Sequence, residues 1–397
     1  MVNDKEELQT INIGIFGHID HGKTTLLQKL SGKWTDTHSE EIKRGITIKL
    51  GYADVIISKD KDNFNIEGKG TPLRHVSFVD SPGHEMLMAT TLSGAALIDA
   101  AILVVAANEG IKPQTQEHLM VLQAKKVEKI IVIQNKIDLV EKEAAKRNYL
   151  EIKKLLGEKF SSSIIIPVSA QQNVNISSIF RAIAEIPIPK RNSSSVPVFI
   201  VARSFDINKP GTSPKDLHGT VLGGTLTQGI LKVGDSIEIM PGRIIKIENE
   251  KKFMPLKTKI SSLYRGSNKV AELTPGGSMS IETELDMVLG KSDSLSGNLV
   301  SHIGKLPAQS NSIKIKYHLF PRVFGLSNDA KVDEIKKGEI LMLSINTSVT
   351  GGTVNSISKD ELQISLKVPA VIFKSENVGI DRNILSHWRL IGYGEVI

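Results

Sequence analysis

Two regimes of hydrophobic spacing divide the chain. Through residues 11–189, short continuous apolar runs at 11–16, 75–79, 101–106, 130–133 and 164–168 are separated by helical stretches, among them 114–124 and 141–156. Runs of that kind predict strands buried on both faces, and their alternation with helices predicts a doubly wound parallel sheet. Beyond residue 197 helical periodicity nearly vanishes. Alternating runs at 197–203, 220–222, 236–240, 313–319, 340–346 and 362–368, with glycines at the turns, predict two small all-β units, read as barrels. The proline-, serine- and charge-rich stretch 186–197 is the linker, and the two β units are expected to meet near 304–311. The expected architecture is an α/β domain at 1–192 and β-barrels at 193–305 and 306–397.

Composition narrows the classes of function. A chain of 397 residues exceeds what one core organises, and 40% hydrophobic with 23% charged residues is ordinary for a globular protein. It has no cysteine, which excludes disulfides, thiolate zinc sites and cysteine nucleophiles and fits a reducing compartment. The start MVNDKEELQT lacks the apolar core of a signal peptide, and the apolar run 95–107, broken by Asp99, is too short to span a bilayer. A cytoplasmic protein without a membrane partner is expected. The net charge of +7 sits mostly in the second half, with 25 Lys and Arg against 23 Asp and Glu in 1–192 and 25 against 20 in 193–397. That balance permits a polyanionic partner without demanding one.

The chemistry begins at 17–24, GHIDHGKT, which follows an apolar run and leads into TLLQKL. In G-x-x-x-x-G-K-T between strand and helix, glycines let successive backbone N–H groups turn around phosphates while the helix start adds unpaired donors. Lys23 reaches the outer phosphates and the Thr24 hydroxyl takes a Mg2+ position. The loop alone fits an ATPase, a kinase or a GTPase. Asp80-Ser-Pro-Gly-His84 adds a strand-end carboxylate for Mg2+, the backbone N–H of Gly83 for a terminal phosphate, and His84 facing the place of an attacking water.

Asn135-Lys136-Ile137-Asp138 then selects the base. Asp138 accepts two hydrogen bonds from guanine N1–H and N2–H, Asn135 reaches the opposite edge, and the Lys136 stem covers the ring face. Adenine would leave the carboxylate unpaired, and a site built around a donor strongly rejects analogues that lack it. Ser169-Ala170-Gln171, at the end of the next strand, offers a backbone N–H to guanine O6. This order of motifs points to a GTPase binding GTP and GDP. The polar segment 34–48 lies between the first two motifs, and Thr47 is its candidate second hydroxyl on Mg2+, ordered with GTP and released with GDP.

The runs WTDTHSEEIKRGITIKLGYAD, RSFDINKPGTSP, GTVLGGTLTQGILKVGDSIEIMPG and HWRLIGYG resemble the translational GTPases, and among them the gamma-subunit family of archaeal and eukaryotic translation initiation factor two. GHIDHGKT and DSPGH alone also resemble elongation factor Tu, the selenocysteine-specific factor and the GTPase subunit of sulfate adenylyltransferase. The family resemblance implies a GTPase domain followed by two β-barrels. It also implies GTP-dependent binding of initiator methionyl-tRNA in a heterotrimer with alpha and beta subunits, and delivery to the small ribosomal subunit. By position it implies Asp20, His21, Gly22, Lys23, Thr24 and Thr25 on the phosphates, Thr24 and Thr47 on Mg2+, and Asp20 with the Gly45 backbone near a second cation. His84 would position the water behind an apolar gate of Ile19 and Ile46. The cysteine zinc knuckle of many relatives is replaced here by 58–74, which has no ligand set, so no zinc is expected; Asp60 and Asp62 read as a solvated hairpin tip. The acceptor end of the tRNA is expected between the GTPase domain and the first barrel. Arg203, Lys209 and Lys215 lie in the resembling runs, each read as a surface charge.

Two classes of function stay open on these residues. One is a switch that hydrolyses GTP itself; the other is an assembly module whose GTP locks a complex while a partner supplies hydrolysis. A metabolic GTPase coupled to sulfate activation is the more remote alternative.

Overall fold

The computed structural model describes residues 8–32, 51–80, 94–247, 250–323 and 330–397. Gly45, Ile46, Thr47, Gly83 and His84 lie outside the described residues. The chain divides into two compact units, one drawn mostly from residues 1–190 and the other mostly from 191–397.

In the first unit, strands β1 (Thr10–Gly17), β2 (Gly51–Asp60), β3 (Asn63–Asn65), β4 (Thr71–Asp80), β5 (Ala100–Ala106), β6 (Lys129–Asn135) and β7 (Ile164–Pro167) form one sheet in the order β3-β2-β4-β1-β5-β6-β7. The five strands from β4 to β7 run parallel, as the apolar runs predict. The β2 and β3 edge, whose pairings are both antiparallel, makes the sheet mixed and forms the hairpin read at 58–74. Chain length explains this. The turn at Lys61-Asp62 and the connection 66–70 are far shorter than the dozen or so residues that a parallel crossover needs. Asp60 and Asp62 stand exposed at this hairpin tip.

β1 is buried on both faces, and Ile11, Ile13 and Ile15 pack in one core with Leu26, Leu27 and Leu30 of helix Lys23–Ser31 and with Ile179 and Ile183 of helix Ile176–Glu185. Arg74, buried on β4, donates from Nη1 to the carbonyls of Ile183 and Ile186 at 2.6 and 2.7 Å. It thereby closes the end of that last helix, where carbonyls have no partner within the helix.

The second unit is all antiparallel. Its strands are β8 (Val198–Phe205), β9 (Val221–Gln228), β10 (Leu231–Lys232), β11 (Ser236–Ile247), β12 (Glu250–Arg265), β13 (Asn268–Val270), β14 (Glu272–Leu273), β15 (Met279–Thr283), β16 (Leu299–His302), β17 (Gln309–Leu319), β18 (Ile340–Ile345), β19 (Ser348–Ser358), β20 (Glu361–Val371), β21 (Asn377–Ile384) and β22 (His387–Val396). The ring β11-β16-β8-β9-β15-β12 closes through the β11–β12 pairing, and β17-β20-β19-β18-β21-β22 is a second closed barrel. These are the two all-β units that the turn-rich half predicts. Phe199, Val201, Leu222, Ile237, Leu263, Ile281 and Val300 fill the first barrel. The barrels meet where Thr347 Oγ1 donates to the Val201 carbonyl at 2.8 Å and where Gly297 lies so close to Ser348 that an added Cβ would stand 3.0 Å from its Cα.

Candidate nucleotide site

Every described motif residue sits at or just beyond the carboxyl end of a strand, along the edge of a parallel sheet where ligands bind. The phosphate loop leaves β1 at Gly17, which only a glycine suits: its φ is 139°, and a Cβ would lie 2.4 Å from the Val104 carbonyl. Two further left-handed residues, Asp20 at φ 64° and Gly22 at φ 89°, curl the chain before helix Lys23–Ser31 begins. Successive turns of that kind point backbone N–H groups inward, which makes an anion cradle. Lys23 Nζ donates to the His18 carbonyl at 2.8 Å, so the ammonium already lies within the loop. Thr24 and Thr25 follow on the first turn of the helix, Asp20 is exposed, and Ile19 is half-buried with its N–H donating to Gln114 Oε1 at 3.2 Å.

His21 differs from a simple phosphate contact. Its ring is fully buried and faces the protein, with Nδ1 3.3 Å from the Val104 carbonyl and Nε2 4.0 Å from Glu109 Oε2. Burial lowers its pKa from 6.5 to about 4, so the ring is neutral at pH 7. Any phosphate contact from His21 is confined to its backbone N–H, which makes only a long 3.4 Å bond to the His18 carbonyl. A second histidine, which sequence reasoning missed, supports the loop from helix Pro113–Ala124. His118 Nδ1 accepts from the Gly17 N–H at 2.8 Å, and burial takes its pKa to about 3. Accepting at Nδ1 requires a neutral ring with its proton on Nε2, so geometry and pKa agree.

Asp80 ends β4 with no exposed surface, in register with Ile15 of the strand that feeds the phosphate loop. The Asp80 carboxylate and the Thr24 hydroxyl are both oxygen donors, the chemistry that suits a hard cation such as Mg2+. No cluster of three or more His, Asp or Glu suited to a metal occurs among the described residues, but Mg2+ beside phosphates is commonly held by one or two carboxylates.

The base motif is arranged around Asn135. Its Nδ2 donates to the His21 carbonyl at 3.0 Å and its Oδ1 accepts from the Ala170 N–H at 3.1 Å, both bonds buried. The sequence suggests that Asn135 meets the base edge; in the structure its amide bridges the phosphate loop to the Ser169-Ala170-Gln171 stretch. A Cβ on Gly22 would lie 2.5 Å from the same amide, so the glycine makes room for the bridge. The Ala170 N–H is thus engaged within the protein. Ser169 is buried and its Oγ accepts from Gln172 N–H at 3.2 Å, while Gln171 is exposed.

Lys136, at φ 60°, turns the chain out of β6 into the short helix Ile137–Leu139, where Asp138 is exposed. Lys136 Nζ pairs with Glu109 Oε1 at 3.2 Å. Burial pushes the Glu109 carboxyl up, yet the hydrogen bond and charge of Lys136, with His21 and Lys112 nearby, leave its pKa below the ordinary carboxylate range. Among the described residues, no helix is long and apolar enough to cross a membrane.

Comparison with known proteins covers the whole chain. Residues 8–188 match the Elongation factor Tu GTP binding domain, and residues 311–396 match the C-terminal domain of Initiation factor eIF2 gamma. Translation initiation factor 2 subunit gamma of Methanococcus vannielii is 49% identical over 402 residues, 98% of each chain. The proteins of the same name from Archaeoglobus fulgidus and Pyrococcus furiosus are 49% and 48% identical, over 98% and 97% of this chain and 94% and 96% of theirs. Among solved structures, a bacterial selenocysteine-specific elongation factor EF-Sec aligns with a TM-score of 0.76 at 25% identity, over 98% of this chain but only 58% of its own. Translation elongation factor SelB from Methanococcus maripaludis, in complex with the GTP analogue GppNHp, aligns with a TM-score of 0.74 at 23% identity, over 98% and 79%.

Proposed function

Because the chain belongs to the gamma-subunit family of translation initiation factor 2, and is thus a translational GTPase, we propose that its GTP-bound form holds initiator methionyl-tRNA for delivery to the small ribosomal subunit, and that hydrolysis to GDP and phosphate releases it. The observation that best supports the nucleotide half of this reading is the Asn135 bridge, which sets the phosphate loop and the base-recognition stretches at one sheet edge.

In this reading the backbone of 17–24, with Lys23 and Thr25, holds the phosphates, and Asp138, Lys136, Asn135 and a backbone N–H of 169–171 hold guanine. Thr24, Thr47 and Asp80 hold Mg2+, which neutralises phosphate charge when bound, with Asp20 and Gly45 near a second cation. Gly83 donates to the terminal phosphate and His84 positions the water, behind Ile19 and Ile46. The domains 1–192, 193–305 and 306–397 divide the work. The first takes nucleotide, and the first barrel takes the acceptor end of the tRNA.

On that barrel a cavity of about 380 Å³ is lined by Leu217, His218, Glu282 and Leu285 among others, with His218 Nδ1 2.7 Å from Glu282 Oε1. The working assembly is a heterotrimer with alpha and beta subunits in the cytoplasm. Binding of initiator methionyl-tRNA to the chain with its partner subunits, under GTP and under GDP, tests the reading; equal retention under both nucleotides would overturn it.

A further inference from the structure

Glu109 belongs to no motif of the nucleotide site, yet it stands between two of them. It follows β5 in a turn that is fixed on both sides. The N–H groups of Glu109 and Gly110 both donate to the Ala106 carbonyl, at 3.2 and 2.9 Å, and Ala107 N–H donates to the carbonyl of Asn135 at 2.8 Å. From this turn Oε1 takes Lys136 Nζ at 3.2 Å while Oε2 lies against the buried His21 ring at 4.0 Å. Both ends of the lysine are therefore held, the backbone by its left-handed turn and the ammonium by a carboxylate that is itself anchored.

A free lysine has many rotamers, and covering the base with its methylene stem would require ordering them at the moment of binding. A lysine already pinned at Nζ avoids most of that cost.

We propose that Glu109 is a positioning residue of the guanine site, holding Lys136 so that its stem is set across the face of the base before nucleotide arrives. This rests on the base-site reading given above. Glu109 acts only through Lys136 and touches no reacting group.

The test is the dissociation rate of fluorescent GDP and of fluorescent IDP from the full chain, for Glu109→Gln, Glu109→Asp, Lys136→Met, the Glu109→Gln/Lys136→Met double variant and Asp138→Asn. Glu109→Gln should speed dissociation about fivefold, the scale of a half-exposed ion pair. Glu109→Asp should recover part of the loss. On the Lys136→Met background the Glu109→Gln change should add nothing. Because the stem covers the ring face and does not meet the 2-amino group, the fold-change should be equal for GDP and IDP. Additive effects in the double variant, a loss confined to GDP, or a wild-type rate for Glu109→Gln while Lys136→Met and Asp138→Asn are both fast would each overturn the inference and leave the base site standing. Wild-type rates for Lys136→Met and Asp138→Asn alike would remove the base-site reading itself, and the inference with it.

Discussion

Replacing Asn135 by alanine should damage nucleotide binding more than any base contact alone would. The amide makes two buried hydrogen bonds, to the His21 carbonyl at 3.0 Å and from the Ala170 N–H at 3.1 Å, and the residue is only 3% exposed. Truncation leaves a carbonyl and an N–H without these partners in a place that is closed to water. Each such group costs about 1–3 kcal/mol, so the pair together costs roughly 2–6 kcal/mol. Because both bonds lie within the protein, part of this falls on the folded state and part on nucleotide binding. A 2 kcal/mol share would lower the melting midpoint of a domain this size by about 4–8 °C. A share of about 1.4 kcal/mol in binding would weaken GDP about tenfold. Asn135→Asp should do nearly as much harm, since it keeps an acceptor for Ala170 N–H but sets a second acceptor against the His21 carbonyl. Thermal unfolding and titration with a fluorescent GDP read both quantities on the same variants. An Asn135→Ala protein that melts with wild type and binds GDP within about twofold of it would refute the bridging role.

Three further outcomes follow from the site. Asp138→Asn should exchange guanine for xanthine preference, because the xanthine C2 carbonyl wants a donor where guanine offered one; competition of XTP against GTP checks this, and unchanged guanine preference would refute the base assignment. Below about pH 6.5 the unfolded state binds a proton at His118 that the folded state refuses until about pH 3, so stability falls as pH drops through this window, by about 2 kcal/mol at pH 5. His118→Gln should reduce but not abolish that acid sensitivity in denaturant unfolding compared at about pH 7 and about pH 5, because His21 contributes in the same direction; an unaltered slope would contradict the neutral buried ring. His84→Ala should slow partner-stimulated hydrolysis about 10²-fold or more while sparing GTP affinity, measured by single-turnover hydrolysis and equilibrium binding, and a collapse of affinity would make the histidine structural.

The parallel core was legible because its strands are buried on both faces and so read as unbroken apolar runs: 101–106 became β5 (Ala100–Ala106) and 130–133 became β6 (Lys129–Asn135). The antiparallel edge showed only as a hairpin tip at 58–74, since connection length rather than hydrophobicity decides its direction. In the barrels, β8, β18 and β20 were visible as alternations, whereas β12 (Glu250–Arg265) hides its period under lysines and β19 (Ser348–Ser358) under glycine, serine and threonine. Closure of a ring depends on pairing between distant strands, such as β8 with β16 in one barrel and β17 with β22 in the other, which no local pattern records. At the site, a fixed spacing of residue types revealed the motifs. The support around them, His118 under Gly17, Asn135 between two loops and Glu109 beside Lys136, comes from side chains far apart in sequence and is set by strand order alone.

A GTP-dependent grip on one tRNA is the core of the proposed function. The direct measurement is the affinity of the chain, assembled with its alpha and beta subunits, for initiator methionyl-tRNA and for an elongator aminoacyl-tRNA, each with GTP and with GDP. Tight binding of the initiator with GTP is expected, with a loss of about tenfold or more with GDP and weak binding of the elongator under both. Equal affinity with GTP and GDP, or for the two tRNAs, would contradict it.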